Sequence, residues 1–168
     1  MHVAFTTLTR KAFLILASLA FFTPYVPAQR MMKTINDGWD FRKDGEAQWR
    51  SVNLPHTFNL DAYSQRNYYQ GKGEYRKKLS LAGIDPAKRY YLKIDAASKA
   101  ANVKVNGQVA GNHAGGYSAF ILDVTGLIRK ENEIEIIVDN ARRDITPLWA
   151  DFTFWGDIYR DVWLISTP

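Results

Sequence analysis

The sequence of 168 residues contains no cysteine, and this absence removes several kinds of chemistry at once. Disulfide bonds, thiolate zinc sites, iron–sulfur clusters and cysteine nucleophiles are all excluded. A bacterial lipoprotein anchor is excluded too, because it needs a cysteine at its cleavage site. Any function of this chain must therefore depend on other side chains.

Histidine is also scarce, and this limits the catalytic and metal sites that the chain can build. Beyond the first 28 residues only His56 and His113 remain, and no serine lies in a Gly-x-Ser-x-Gly turn. Ser-His-Asp catalysis needs a histidine next to an activated serine, and metal sites gather several His, Asp or Glu side chains. The sequence therefore predicts no catalytic residue, no metal site and no cofactor. His56 follows a proline, which favours a hydrogen-bonding role in a loop over contact with a ligand.

Long apolar segments are missing as well. The longest run covers residues 12–22, about half of the roughly 20 residues that a membrane-spanning helix needs. It follows Arg10 and Lys11 and precedes the small-residue stretch Val26-Pro-Ala28, which is the pattern of a secretory signal peptide. We expect residues 1–28 to be removed before Gln29, leaving a secreted or periplasmic chain without membrane contact. An uncleaved anchor helix is the alternative.

The net charge of the chain is small. Loss of Arg10 and Lys11 with the leader lowers the formal net charge from +5 to +3. A nucleic-acid site would need Lys and Arg clustered on one face, so no nucleic-acid partner is predicted. The densest basic cluster, at residues 76–78, lies in an alternating segment and is typical of a solvated strand face.

Period-two alternation of apolar and polar residues dominates the rest of the chain. It is clearest at residues 90–95, 133–139 and 158–165, and turn residues separate these runs. Asn106-Gly107 stands between two short alternating runs, which predicts a two-residue hairpin turn. We count about seven to nine short strands and no helical crossovers. The sequence therefore predicts an all-β sandwich or barrel.

An aromatic and acidic segment near the end of the chain favours carbohydrate binding. Flat aromatic rings cover the apolar faces of sugars, and carboxylates accept their hydroxyl groups. Asp151 lies among several aromatic residues, with Trp149 just upstream as a possible stacking surface. An aromatic-rich core, with Asp151 capping its own loop, is the alternative.

Five motifs together resemble the N-terminal sugar-binding domain of glycoside hydrolase family 2, which includes β-galactosidases, β-glucuronidases and β-mannosidases. They occur in the order of that family and span about residues 34–166. Their segments are WRSVNLPHTF (49–58), GEYRK (73–77), ANVKVNG (101–107), GNHAGGYSAF (111–120) and FTFWGDIYRDV (152–162). The segment at 148–154 is most similar to β-galactosidase-like bacterial members.

The resemblance implies a galactose-binding-like jelly-roll sandwich over residues 29–168. It implies a β-galactoside-like carbohydrate as ligand, contacted by Asp151 and Trp149 and by His56 and Thr57 from a second loop. One departure stands out, because Asp157 occupies a position where the family usually has glycine. If that glycine takes a positive φ, aspartate is a costlier substitute.

The family's catalytic glutamates lie in a downstream barrel, after an immunoglobulin-like domain, and in full-length relatives the sugar-binding domain packs against both. Neither is found in this sequence. We therefore expect a truncated product or fragment that does not hydrolyse glycosides by itself, since hydrolysis needs a proton donor and a nucleophile or base. An inactive remnant and a free-standing carbohydrate-binding module are the alternatives.

Overall fold

The computed structural model of the protein describes residues 29–64, 68–145 and 153–168. Strands dominate them, with a single 3-10 turn at Leu60–Tyr63. The strands are β1 (Met31–Thr34), β2 (Trp39–Lys43), β3 (Arg50–Val52), β4 (His56–Thr57), β5 (Lys72–Ser80), β6 (Arg89–Ile94), β7 (Ala100–Val105), β8 (Gln108–Ala114), β9 (Phe120–Asp123), β10 (Glu131–Asp139), β11 (Asp157–Ile158) and β12 (Val162–Thr167). No helix within these ranges is long and apolar enough to cross a membrane.

Two antiparallel sheets and a small two-stranded pair make up the architecture. One sheet has four strands in the order β1-β12-β6-β9, and the other has six in the order β3-β2-β5-β10-β7-β8. Strands β4 and β11 form the separate pair. Buried apolar residues of both large sheets join in one core, so the predicted β-sandwich is confirmed.

The longest strands explain why the sandwich forms. In β10 the buried residues Ile134, Ile136 and Val138 alternate with half-exposed residues, so one face of the strand is apolar. The strand pairs with β5 over nine residues and with β7 over six. Each buried aliphatic side chain stabilises the fold by about 1.5–3 kcal/mol relative to its exposed state. The alternation seen in the sequence therefore creates the apolar face through which β10 joins the core.

The turn between β7 and β8 has the geometry that the sequence predicts. Asn106 and Gly107 take φ values of 53° and 76°, and Val105 pairs with Gln108 across the turn. Positive φ at both central residues is the signature of a type I′ turn. The Asn106 amide also donates to the Leu127 carbonyl at 2.8 Å and so fixes a neighbouring loop.

The predicted strand count was too low, and the last alternating run was interpreted wrongly. The described residues contain twelve strands, and two of them, β4 and β11, have only two residues each. Alternation cannot be recognised over two residues, so these strands have no sequence signal. Residues 158–165 form parts of two strands, β11 and β12, because residues 159–161 leave the ladder.

Candidate functional site

A buried pair of asparagines organises one end of the sandwich. The Asn140 side-chain amide donates to Asn59 Oδ1 at 3.1 Å, and Asn140 Oδ1 accepts from the Gly71 backbone N–H at 2.8 Å. Asn59 Oδ1 also accepts from the Gly156 N–H, and its own amide donates to the Tyr69 carbonyl. Because both side chains are fully buried, these bonds hold three chain segments together with little freedom.

Gly156 lets the segment before β11 approach β4 closely. A Cβ atom at this position would lie 2.2 Å from the Phe58 ring and 2.7 Å from the Asn140 amide. The Gly156 carbonyl accepts from the Phe58 N–H at 3.1 Å, and Thr57 pairs with Asp157 in the β4–β11 ladder. Glycine is needed here for close packing, since its φ is not positive.

The β4–β11 pair forms one wall of an open cavity of about 380 Å³. Besides the tyrosine hydroxyls, its polar side chains come from His56, Thr57, Ser98, Thr153 and Asp157. The Ser98 N–H donates to the Asp157 carbonyl at 3.0 Å, which attaches the loop before β7 to β11. Three strands or loops that are far apart in the sequence therefore meet at this site.

Aromatic side chains form the other walls of the cavity. Trp155, Tyr117 and Tyr159 line it, and Tyr117 is 70% exposed at the rim. The Tyr159 hydroxyl donates to the Gly116 carbonyl at 2.5 Å and so fixes the loop that carries Tyr117. A concave site with aromatic walls and a few polar groups is typical of small-molecule and sugar sites.

His56 is neutral at physiological pH in this environment. Its Nδ1 lies 2.8 Å from the Tyr75 hydroxyl, and its ring packs 4.7 Å from that of Phe41. Burial, with a smaller effect of the Arg50 charge, lowers the pKa of His56 to about 4. Burial also raises the pKa of Tyr75 well above its usual value, and the Asp157 charge adds to this effect. The pair can therefore offer hydrogen bonds but no charge at neutral pH.

Asp157 is the unusual polar group of the cavity. Only 3% of the residue is exposed, and Oδ1 has no hydrogen-bond partner among the described residues. Burial raises the pKa of Asp157 to about 7, while the Thr57 hydroxyl acts in the opposite direction. Its φ is not positive, so the strain considered for an aspartate at this glycine position does not arise. The unusual feature of Asp157 is a buried carboxyl group with one unused oxygen.

The structure brings together two of the four residues that the sequence singles out. His56 and Thr57 both line the cavity. Trp149 and Asp151 lie outside the described residues, as does the predicted leader at 1–28. Sequence reasoning missed Trp155, Tyr117 and Tyr159 as cavity residues. For Asp157 a signal existed, namely an acidic residue in place of the family's glycine.

Metal binding has no support in the part of the chain that the structure describes. No group of three or more His, Asp or Glu side chains gathers there in a way that could hold a metal ion. What the arrangement offers is hydrogen bonding and aromatic surface.

Comparison with known families shows which family the sandwich domain belongs to. The family model described as "Glycosyl hydrolases family 2, sugar binding domain" matches residues 28–168. The chain belongs to this family. The resemblance drawn from the five sequence motifs is thereby confirmed.

Individual relatives include glycosidases of two specificities. A β-glucuronidase of Bacteroides fragilis is 38% identical over 156 residues, which cover 89% of this chain and 22% of the relative. A β-galactosidase of Thermoanaerobacter pseudethanolicus is 33% identical over 149 residues, which cover 83% of this chain and 19% of the relative. The crystal structure of a Bacteroides uniformis β-glucuronidase superposes with a TM-score of 0.78 and 44% identity, covering 83% of this chain and 18% of that one.

These figures bear on the expected specificity. The family 2 chain spans about a fifth of the length of the relatives it matches. Of the relatives named here, the two β-glucuronidases are more similar to it than the β-galactosidase is. The prediction that the chain is most similar to β-galactosidases is therefore too narrow. The sugar-binding domain has counterparts in β-glucuronidases and in β-galactosidases.

Proposed function

We propose that this chain is the carbohydrate-binding part of a secreted family 2 β-glycosidase, and that its cavity contacts the sugar. The observation that carries this proposal is the cavity between β4, β11 and the Tyr117 loop, found in a domain of a sugar-binding family. The cavity combines aromatic walls with five further polar side chains, those of His56, Thr57, Ser98, Thr153 and Asp157. That combination suits a ligand with apolar C–H faces and several hydroxyl groups.

The substrate that we propose is a β-glucuronide, with a β-galactoside as the alternative. Support for the glucuronide comes from the higher identity to the β-glucuronidases of two Bacteroides species. Support for the galactoside comes from the β-galactosidase relative and from the segment at 148–154. Hydrolysis itself would require catalytic carboxyl groups from a barrel domain, against which this domain packs in the proposed full enzyme.

Secretion is part of the proposal. Its support is the basic start, the short apolar run at residues 12–22 and the small residues before Gln29. Asp151 and Trp149 remain proposed sugar contacts on the strength of their chemistry, in addition to His56 and Thr57.

Direct binding to the purified chain tests the proposal. Methyl β-D-glucuronide and methyl β-D-galactoside would each be added, and saturation transfer from protein to sugar protons would be recorded by NMR. Mannitol, which has hydroxyl groups but no ring with an apolar face, is the control. We expect transfer to one or both glycosides and none to mannitol. Absence of transfer to both glycosides would contradict sugar binding by this cavity.

A further inference from the structure

We infer that the carboxyl group of Asp157 is a specificity-determining group of the cavity, and that it hydrogen-bonds a neutral ring hydroxyl of the bound carbohydrate. This inference rests on the proposed function and adds to it a residue that the family pattern does not provide.

The first support is the unsatisfied state of the carboxyl group. Asp157 lines the cavity, its residue is 97% buried, and Oδ1 has no partner among the described residues. Leaving a buried polar atom without a hydrogen bond is unfavourable, so folding alone does not explain this side chain. Because Asp157 lines the cavity, a turn of its carboxyl group about χ2 lets a ligand hydroxyl there supply the missing partner.

The second support is the fixed backbone of Asp157. The backbone of Asp157 is held on both sides, by Thr57 of β4 and by the Ser98 N–H. The side-chain torsion χ2 of aspartate is broad, so either carboxyl oxygen can turn toward the cavity while the backbone stays fixed. Binding then requires a change in χ2 but no change in the backbone.

The third support is the protonation state, which favours a hydroxyl over a carboxylate as the partner. Burial raises the pKa of Asp157 to about 7, so near neutral pH both protonation states are populated. The protonated form donates and accepts, and the ionised form accepts. A sugar hydroxyl can match either form, whereas the carboxylate of a glucuronide would be repelled by the ionised form.

Variants of Asp157 test the inference by a change in affinity. In Asp157→Ala the hydrogen-bonding group is lost, and we expect the dissociation constant of the methyl glycoside that the wild type binds, glucuronide or galactoside, to rise about tenfold. In Asp157→Asn an oxygen and an amide remain, and we expect a change of less than about threefold. Asp37→Asn is the matched control, because Asp37 is exposed in the turn before β2 and does not line the cavity.

Deoxy sugars identify the hydroxyl group. Monodeoxy derivatives of the methyl glycoside that the wild type binds would be titrated against the wild type and Asp157→Ala. One derivative should bind the wild type about tenfold more weakly than the parent sugar does. The same derivative and the parent sugar should bind Asp157→Ala with equal affinity.

The outcomes separate the two proposals. If the wild type binds neither methyl glycoside, the proposed function fails, and the inference fails with it. If the wild type binds and Asp157→Ala binds equally well, only the role of Asp157 is overturned. Thermal unfolding of each variant is the control for folding, and we expect Asp157→Ala to be at least as stable as the wild type because it removes an unpaired buried group.

Discussion

The centre of the six-stranded sheet and the cavity end of the sandwich are built on opposite principles. In the centre, β10 pairs with β5 and β7 over long registers, and its inward side chains are aliphatic. At the cavity end the strands have two residues each, and the buried residues include Asn59, Asn140 and Asp157. The first region is held by apolar burial and the second by specific hydrogen bonds.

This difference explains where a binding site can form. Apolar burial is non-directional, so a well-packed core has no unused hydrogen-bonding groups to offer a ligand. Buried polar groups must instead find partners one by one, and most of those at the cavity end do so within the protein. One atom that finds no partner among the described residues, Asp157 Oδ1, belongs to a residue that lines the cavity. The same region that needs hydrogen bonds for folding therefore also contains a buried oxygen that the described residues leave unpaired.

The largest effect that we expect comes from the core. Trp39 is fully buried, and its indole N–H donates to the Ile35 carbonyl at 2.7 Å. Trp39→Ala should lower the free energy of unfolding by about 3–5 kcal/mol, because a large cavity replaces the ring. Urea unfolding measures the loss. Tyr117→Ala at the exposed cavity rim is the matched variant and should change stability by about 0.5 kcal/mol or less. Similar losses for both variants would contradict the division between the two regions.

The next effect is a pH dependence from Asp157. Its pKa rises to about 7 on folding from a usual value of 3.8, so the folded state prefers the protonated carboxyl group. The resulting stabilisation is complete below pH 4 and is lost as the pH rises to 7, by at most roughly 4 kcal/mol. Asp157→Asn should therefore gain stability relative to the wild type over this range and keep a constant advantage above pH 8.

Other titrating groups lie near Asp157 and also make stability depend on pH. The quantity to compare is therefore the difference in the free energy of unfolding between the wild type and Asp157→Asn. Tyr75 and Tyr159 titrate at higher pH because burial raises their pKa values. His56 acts in the opposite sense, because its pKa is lowered to about 4 and its contribution is lost as the pH falls from 6.5 to 4. Urea unfolding of both proteins at several pH values gives the difference. A difference that does not change between pH 4 and 7 would refute the assignment.

A smaller effect is expected at Gly156, where the cavity end is most tightly packed. A methyl group there would overlap the Phe58 ring, so Gly156→Ala should destabilise the fold by about 1–3 kcal/mol. Gly83→Ala is the control, because nothing lies within 4 Å of its added Cβ atom and its φ is not positive. Thermal unfolding distinguishes the two variants. If both melt at the same temperature, the close contact with Phe58 does not matter for stability.

The smallest effect concerns the hairpin turn. Gly107→Val should cost about 1 kcal/mol, because a β-branched residue is strained at a φ of 76°. Gly107→Asn should be tolerated better, because asparagine adopts this conformation more readily. The denaturation midpoint is the measurement. An unchanged midpoint for the valine variant would remove the type I′ assignment.

Part of the site was within reach of the sequence. His56 and Thr57 were singled out through a family motif, and both line the cavity. Trp155 and Tyr159 were not, because they stand in an aromatic-rich segment that fits a core equally well, and Tyr117 was not, because it follows two glycines that predict only a turn. Which ring faces a cavity depends on how distant segments meet, and the local pattern contains no information about that meeting.

By itself, the sequence determined the sandwich class, the Asn106-Gly107 hairpin and membership of glycoside hydrolase family 2. These features follow from local alternation, turn chemistry and ordered motifs, which neighbouring residues specify. Tertiary structure alone decided the β4–β11 pair, the Asn59–Asn140 contact and the unpaired oxygen of Asp157. The physical reason is that hydrogen-bond satisfaction is a property of the folded neighbourhood. Asp157 meets Ser98 and Thr57 only because the chain has closed around all three.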